Sequence, residues 1–334
     1  MKSPFTGKEM LLCKETRKLV FRKDEFDVIY HYYRCEDSGE AFTSTSLDEL
    51  NMTQLYNQYR AKHKIPFPDK IKQIRDKYNL PATKMSEILG FGVNSYRNYE
   101  SGEVPALPNA KLMQIADDAF EFRKLVELCD ALDEKSKEEL LFRIDHIIQT
   151  QKELRFQSEL EKYFTGDQYP NANTGFRSPD MRKFAEMIVY FAEKVRPWKT
   201  KLNKLLFYTD FNMFRETGFS ISGMQYVAIP MGPVPNRYDG IFDYLVNKGN
   251  FAIQVTVFPD GNVGEQFVAK DDRKFDSAVF TTQELEIIER IAERFKDTST
   301  NEIIEISHQE KAWIENQQEH NLIDYRYGFD LING

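Results

Sequence analysis

Two short segments carry the spacing of a metal site. Ser3-Pro4-Phe5-Thr6-Gly7 and Cys35-Glu36-Asp37-Ser38-Gly39 each place two side chains three positions apart, just before a glycine. Thiolates at four such positions would hold zinc tetrahedrally, whereas these positions hold Ser3, Thr6, Cys35 and Ser38, and neutral hydroxyls are poor zinc ligands. Cys13 and His31 are the only remote recruits, so a metal-free unit held by its aromatic residues is expected. The three cysteines (Cys13, Cys35, Cys129) are scattered and odd in number, which implies no disulfide framework and fits a reducing cytoplasm. The five histidines (His31, His63, His146, His308, His320) fall in no nucleophile, metallohydrolase or phosphate-loop motif. No catalysis and no cofactor are expected.

A different chemistry is legible between residues 70 and 117. The chain's net charge is −8, yet residues 60–98 carry nine cations (Arg60, Lys62, Lys64, Lys70, Lys72, Arg75, Lys77, Lys84, Arg97) against Asp69, Asp76 and Glu87. A compact basic block inside an acidic chain is a candidate phosphate-facing surface. Within it Met85, Ile88 and Leu89 form an apolar stripe that Gly90 ends. A short turn leads into Val93-Asn94-Ser95-Tyr96-Arg97-Asn98-Tyr99, where helical spacing turns Tyr96 and Tyr99 inward and Asn94, Arg97 and Asn98 outward. That is helix-turn-helix spacing, in which the N-terminal residues of the second helix meet base edges. Asparagine can pair bidentately with adenine, and arginine with guanine or phosphate. The expected DNA-facing residues are Asn94, Ser95, Arg97 and Asn98, flanked by Thr83, Lys84, Lys70 and Lys72.

The elements that must position these groups follow from local pattern. Phe26–Tyr33 is aromatic and β-branched and predicts a strand, with Lys18–Phe21 as a shorter partner. Ser46-Leu47-Asp48-Glu49 and Ser136-Lys137-Glu138-Glu139 have capping-box spacing, the first opening a polar helix toward Lys64 and the second a long helix. Between Pro68 and Leu132 breakers divide four or five short helices. The breaker-rich stretch 165–175 reads as a domain linker, and Ser178-Pro179 as the start of the next helix. Beyond it the pattern predicts helices at 180–194, 199–215 and 237–247, a strand at Gln225–Ile229 and a hairpin of Phe251–Phe258 with Gly264–Ala269 through Pro259-Asp260-Gly261-Asn262. Two further helices begin near Thr281 and Ser299. No apolar run is long enough for a spanning helix.

Two family resemblances attach to these residues. Residues 1–120, with Gly92-Val93-Asn94 followed by Tyr99-Glu100-Ser101-Gly102, resemble MqsA-type antitoxins, which join a zinc ribbon to a helix-turn-helix. The resemblance implies that Asn94 and Asn98 read the operator; this sequence departs from it in carrying asparagine in place of arginine at the second position and in replacing the zinc ligands. Residues 180–320 resemble the SocA/GepA-like Panacea antitoxin domain through Lys201-Leu202-Asn203-Lys204-Leu205-Leu206-Phe207-Tyr208, Gly232-Pro233-Val234-Pro235 and Ser307-His308-Gln309-Glu310-Lys311-Ala312-Trp313. That resemblance implies direct binding of a protein toxin, with Tyr208, Pro233, Val234, Pro235 and Trp313 as candidate contacts. Read as bare architecture, Gly232–Pro235 would be a rigid turn and Trp313 a core anchor.

The expected fold is multidomain and mainly α with small β elements: a degenerate zinc-ribbon-like unit (1–50), a connecting helix (51–68), an all-α helix-turn-helix domain (69–132), a helical linker (133–177) and a C-terminal α+β Panacea-like domain (178–334). The expected function is that of a cytoplasmic type II antitoxin that neutralises a cognate toxin and represses its own operon as a homodimer on operator DNA, without membrane association. The same residues admit a protease adaptor for a client protein, or a stand-alone repressor with a sensing C-terminal domain. The balance of residues 99–334, −12 by difference, points to a partner with a basic exposed face.

Overall fold

The computed structural model describes all residues except 167 and 260, and the backbone alone for 151–158. Asp167 of the expected linker and Asp260 of the expected turn lie outside the described residues. The chain is mostly helical with small antiparallel sheets, and it divides into two compact units, Met1–Leu160 and Glu161–Gly334.

The first unit opens with a long hairpin, β1 (Leu11–Phe21) and β2 (Asp24–Arg34), with a two-residue strand β3 (Ala41–Phe42) on the far side of β2. Phe21 pairs with Asp24, so Arg22 and Lys23 alone make the turn, and both adopt positive φ (47° and 76°), as the twist of a two-residue hairpin requires. Arg22 holds this turn by donating to the carbonyls of Val104 (2.6 Å) and Pro105 (2.8 Å). The first strand is therefore much longer than the four residues its hydrophobicity suggested, because pairing with β2 and not apolar content defines it.

Helix α1 (Thr45–His63) lies against β2 and uses amide side chains to complete its edge. Asn51 Oδ1 accepts from His31 N (2.8 Å) while Asn51 Nδ2 donates to His31 O (2.9 Å). Gln54 makes the same pair of bonds with Ile29, and Gln58 donates to Asp27 O. Successive helical turns thus read alternate residues of the strand, leaving no open ladder along this stretch.

Five short helices follow: α2 (Pro68–Lys77), α3 (Ala82–Ile88), α4 (Ser95–Glu100), α5 (Leu107–Asp117) and α6 (Ala119–Glu127). Their core contains Ile71, Tyr78, Met85, Tyr96, Met113 and Phe122, with Tyr78 stacked on Phe122 (3.9 Å). Helix α7 (Glu134–Thr165) sends Leu140 and Ile144 into the same core, so its first half is part of this packing.

The two expected capping boxes fall too late, by two residues at α1 and three at α7. Ser44 caps α1 by accepting from Leu47 N, and Asp133 precedes α7 by accepting from Ser136 N (3.0 Å), so Ser46 and Ser136 lie inside the first turns. In each case an earlier polar residue reaches the orphan N–H first.

The second unit is built around α9 (Lys199–Thr217), whose side chains from Lys201 to Phe214 are all buried. Before it runs α8 (Met181–Lys194), capped by Asp180 and not by Ser178. The Ser178-Pro179 segment docks on the next loop and leaves the cap to Asp180: Asp180 N donates to Ser222 O, and the Ser178 carbonyl sits 2.4 Å from where a Cβ at Gly223 would be. Strands β4 (Tyr226–Ile229) and β5 (Gly232–Pro235) form a hairpin, so Gly232–Pro235 is a strand and the turn is at residues 230–231. Two prolines are tolerated because a two-stranded ribbon leaves half of its N–H positions outside the ladder. Helix α10 (Tyr238–Asn247), the hairpin β6 (Ala252–Val257) with β7 (Val263–Val268), and helices α11 (Thr282–Phe295), α12 (Thr300–His308) and α13 (Lys311–Ile314) complete the unit, with a 3-10 turn at Tyr325–Asp330 packed on α9. Thr281 with Glu284 and Ser299 with Glu302 make full capping boxes at α11 and α12.

Much of the expected linker is part of this unit. Asn171 and Thr174 cap one another, Gly175 O accepts from Ser220 N, and Thr174 O accepts from Ser220 Oγ (2.8 Å). Polar, breaker-rich sequence here encodes a docked turn.

Candidate functional site

The two knuckle segments do converge. Thr6 Oγ1 lies 3.7 Å from Cys35 Sγ, and Ser3 and Cys35 are buried. Hydrogen bonds to the sulfur from the Ser3 hydroxyl, then from the Ser38 hydroxyl and amide, with Thr6 adding a smaller share, bring the Cys35 thiol down to about 6. Three hydroxyls therefore surround one thiolate-prone sulfur where four thiolates would surround a metal. Cys13 stands on β1 and His31 on β2, outside this cluster, and no group of three or more metal-ligating side chains is assembled among the described residues.

Helices α3 and α4 are joined through Leu89–Asn94, with Gly90 at φ 67°. Tyr96 is fully buried, donating to Ile71 O (2.8 Å), and its amide donates to Ser86 Oγ. Tyr99 is buried and accepts from Asn109. Arg75 clamps the end of α4 through Glu100 (2.6 Å) and also donates to Leu80 O. These anchors leave Asn94, Arg97 and Asn98 exposed and Ser95 half-buried; Asn94 is the cap residue and not an interior position of the helix. Of the flanking residues, Thr83 is half-buried, Lys84 pairs with Glu87 (2.8 Å), Lys70 pairs with Asp117 (2.6 Å), and Lys72 is exposed. Much of the basic block is thus internally paired, although surface pairs of this kind hold by only about 0–1 kcal/mol and yield readily to phosphate.

In the second unit the three phrases singled out in the sequence meet around α9. Tyr208 is fully buried, donates to Glu310 Oε1 (3.2 Å) and stacks on Phe295. Glu310 also accepts the amides of Ile332 and Asn333, tying down the C-terminal segment. Pro233, Val234 and Pro235 are buried in β5. Trp313 is half-buried, donates to Ile229 O (2.8 Å) and stacks on the His308 ring (3.7 Å between centroids). Among the candidate partner contacts, Trp313 alone reaches the surface.

Residues that sequence reasoning passed over sit between them. Asp210, fully buried, accepts from the amides of Ile221 and Ser222 (2.8 Å each), the Ser222 hydroxyl and Tyr226 OH (2.8 Å); burial raises its carboxyl while these bonds oppose the shift. Lys201 donates to the carbonyls of Lys296 and Thr298. Lys204 is fully buried, and burial alone brings its ammonium down to about 7. All of them lay in or beside the quoted phrases; a lysine between two leucines on a helix was the available sign.

Residues 202–314 match the family model of the SocA-like antitoxin, Panacea domain. The match covers about a third of the chain and takes in all three convergent phrases from Leu202 to Trp313. The Panacea match thereby bears out the resemblance of the C-terminal half. No curated protein matches the chain. No helix among the described residues is long and apolar enough to cross a membrane.

Proposed function

We propose that this chain is the antitoxin of a toxin–antitoxin pair, that its Panacea region binds and neutralises the toxin, and that the α3–α4 segment binds the pair's own promoter as a homodimer. The match of residues 202–314 to an antitoxin family carries the reading. The promoter-binding part is supported by the exposed cap residue Asn94 together with Arg97 and Asn98 on α4, left outward by two buried tyrosines, and by the MqsA-like phrase around them. A two-fold dimer would present two such helices to half-sites about one DNA turn apart.

The test is co-expression of the full chain with the product of the neighbouring reading frame. Rescue of growth together with co-purification is expected, and growth arrest unrelieved by the chain would overturn the antitoxin reading. For DNA, Asn94→Ala should cost about 1–3 kcal/mol in promoter binding and relax base preference. Lys72→Ala should weaken all sequences alike and reduce the salt dependence. Gel-shift titrations at two salt concentrations separate the two, and unchanged specific binding by Asn94→Ala would remove α4 from the reading role.

A further inference from the structure

Lys204 poses a physical problem that toxin binding in general does not answer. Its side chain is wholly enclosed, and Nζ makes no hydrogen bond among the described residues. An ammonium buried without a partner costs several kcal/mol, and native proteins keep such a group where something else completes it. A second unpartnered atom is His308 Nε2. The His308 ring is engaged by the Pro230 carbonyl, which must use Nδ1, so Nε2 is bare in the neutral ring and becomes a donor on protonation. Burial, and then the charge of Lys204, hold that protonation down.

The surroundings leave room only because residue 232 is glycine. A Cβ there would lie 2.5 Å from Ser307 Oγ, 2.6 Å from Lys204 Cε and 3.1 Å from Lys204 Nζ. Gly232 also sits at φ 98°, a conformation side chains disfavour. Lys204 on α9, Gly232 on β5 and Ser307 on α12 therefore meet, and His308 is the next residue of α12, near enough to feel the Lys204 charge. His308, half-buried under Trp313, links them to the surface. Glu310, two residues further on, is committed to Tyr208 and to the amides of Ile332 and Asn333, so it does not serve as the counter-charge.

We infer that Lys204 and His308, framed by Gly232 and Ser307, form a receptor for a single carboxylate group. One carboxylate oxygen takes the Lys204 ammonium and the other the protonated His308 Nε2, a charge-assisted pair of bonds. Binding draws a proton onto the site, because a carboxylate favours the charged form of both bases. On the antitoxin reading, and resting on it, the carboxylate belongs to the toxin: an acidic side chain or its C-terminus, drawn to two buried bases of an otherwise acidic chain.

Formate, the smallest carboxylate, is the probe. Added to the full-length protein, it should shift the His308 ring resonances saturably and raise the pH at which that ring titrates. Lys204→Met keeps the shape and removes the unpartnered ammonium, so it should melt at a higher temperature while losing the formate response. No saturable shift in the parent protein, an equal shift with chloride, or a response retained in Lys204→Met would each overturn the proposal. Co-expression then assigns the source. Lost toxin capture by the better-folded Lys204→Met places the carboxylate on the toxin, and unchanged capture alongside a formate response makes the site one for a small carboxylate. If the parent chain captures no toxin, the antitoxin reading fails, and the formate titration still decides the receptor.

Discussion

At Cys35 three hydroxyls gather around a single sulfur. Hydroxyls can stabilise one sulfur anion but supply no charge to offset a divalent cation's dehydration, so the purified protein should contain no stoichiometric zinc and chelator should leave its melting temperature unchanged. Elemental analysis showing one equivalent of zinc would refute this. Lys204 gives a pH prediction whose sign is definite. Its ammonium is ordinary, near 10.5, when the chain is unfolded and is held at about 7 when folded, so the unfolded chain binds more protons between those values and stability rises with pH across that window. The cost is present in full below about 7. The margin by which Lys204→Met exceeds the parent chain should therefore be largest at pH 6 and shrink toward pH 10; urea titrations at several pH values measure it, and a constant margin would mean that Lys204 does not titrate.

At the scale of elements, α1 does work usually left to a neighbouring strand. In the sequence it reads as a polar helix, yet Asn51 and Gln54 are buried and satisfy four backbone groups of β2. Asn51→Ala removes both of its bonds to the His31 backbone and should cost about 1–3 kcal/mol, more than truncating an exposed polar residue. Chemical denaturation reads the loss, and faster hydrogen exchange at the His31 amide localises it. The α3–α4 pair shows the converse arrangement. Its inward tyrosines are fixed by Ile71 O and Asn109, so the outward asparagines owe their position to residues that touch no ligand.

For the whole molecule the consequence concerns where the chain can be cut. The end of α7 belongs with the second unit: Tyr244 donates to Glu161 (3.1 Å), Arg237 to Tyr163 O (2.5 Å), and Phe164 packs on Tyr244 (5.3 Å). Residues 171–175 are docked on Ser220 in the same unit. A fragment of residues 161–334 should fold cooperatively, whereas one beginning at 176 should melt at a clearly lower temperature. Thermal melts of the two decide it, and equal melting would show that the 161–175 segment contributes nothing to stability.

What the sequence determined by itself was local and periodic. The inward and outward faces of residues 94–99 follow from helical spacing alone, the caps at Thr281 and Ser299 from side chains adjacent to the amides they serve, and the Panacea resemblance from three contiguous phrases. Where several polar residues competed for one helix end, as at Ser44 and Asp133, spacing did not choose among them, because backbone conformation decides which side chain reaches the free amide. The remainder was a matter of contact between distant segments. Residues 171–175 read as a linker because breakers and polar side chains look alike in a free chain and in a turn docked on Ser220. Lys204, Gly232 and His308 span more than a hundred residues of sequence, and only the packing of α9, β5 and α12 brings them together, because burial and the absence of a counter-charge are properties of a place in the fold and not of any one residue.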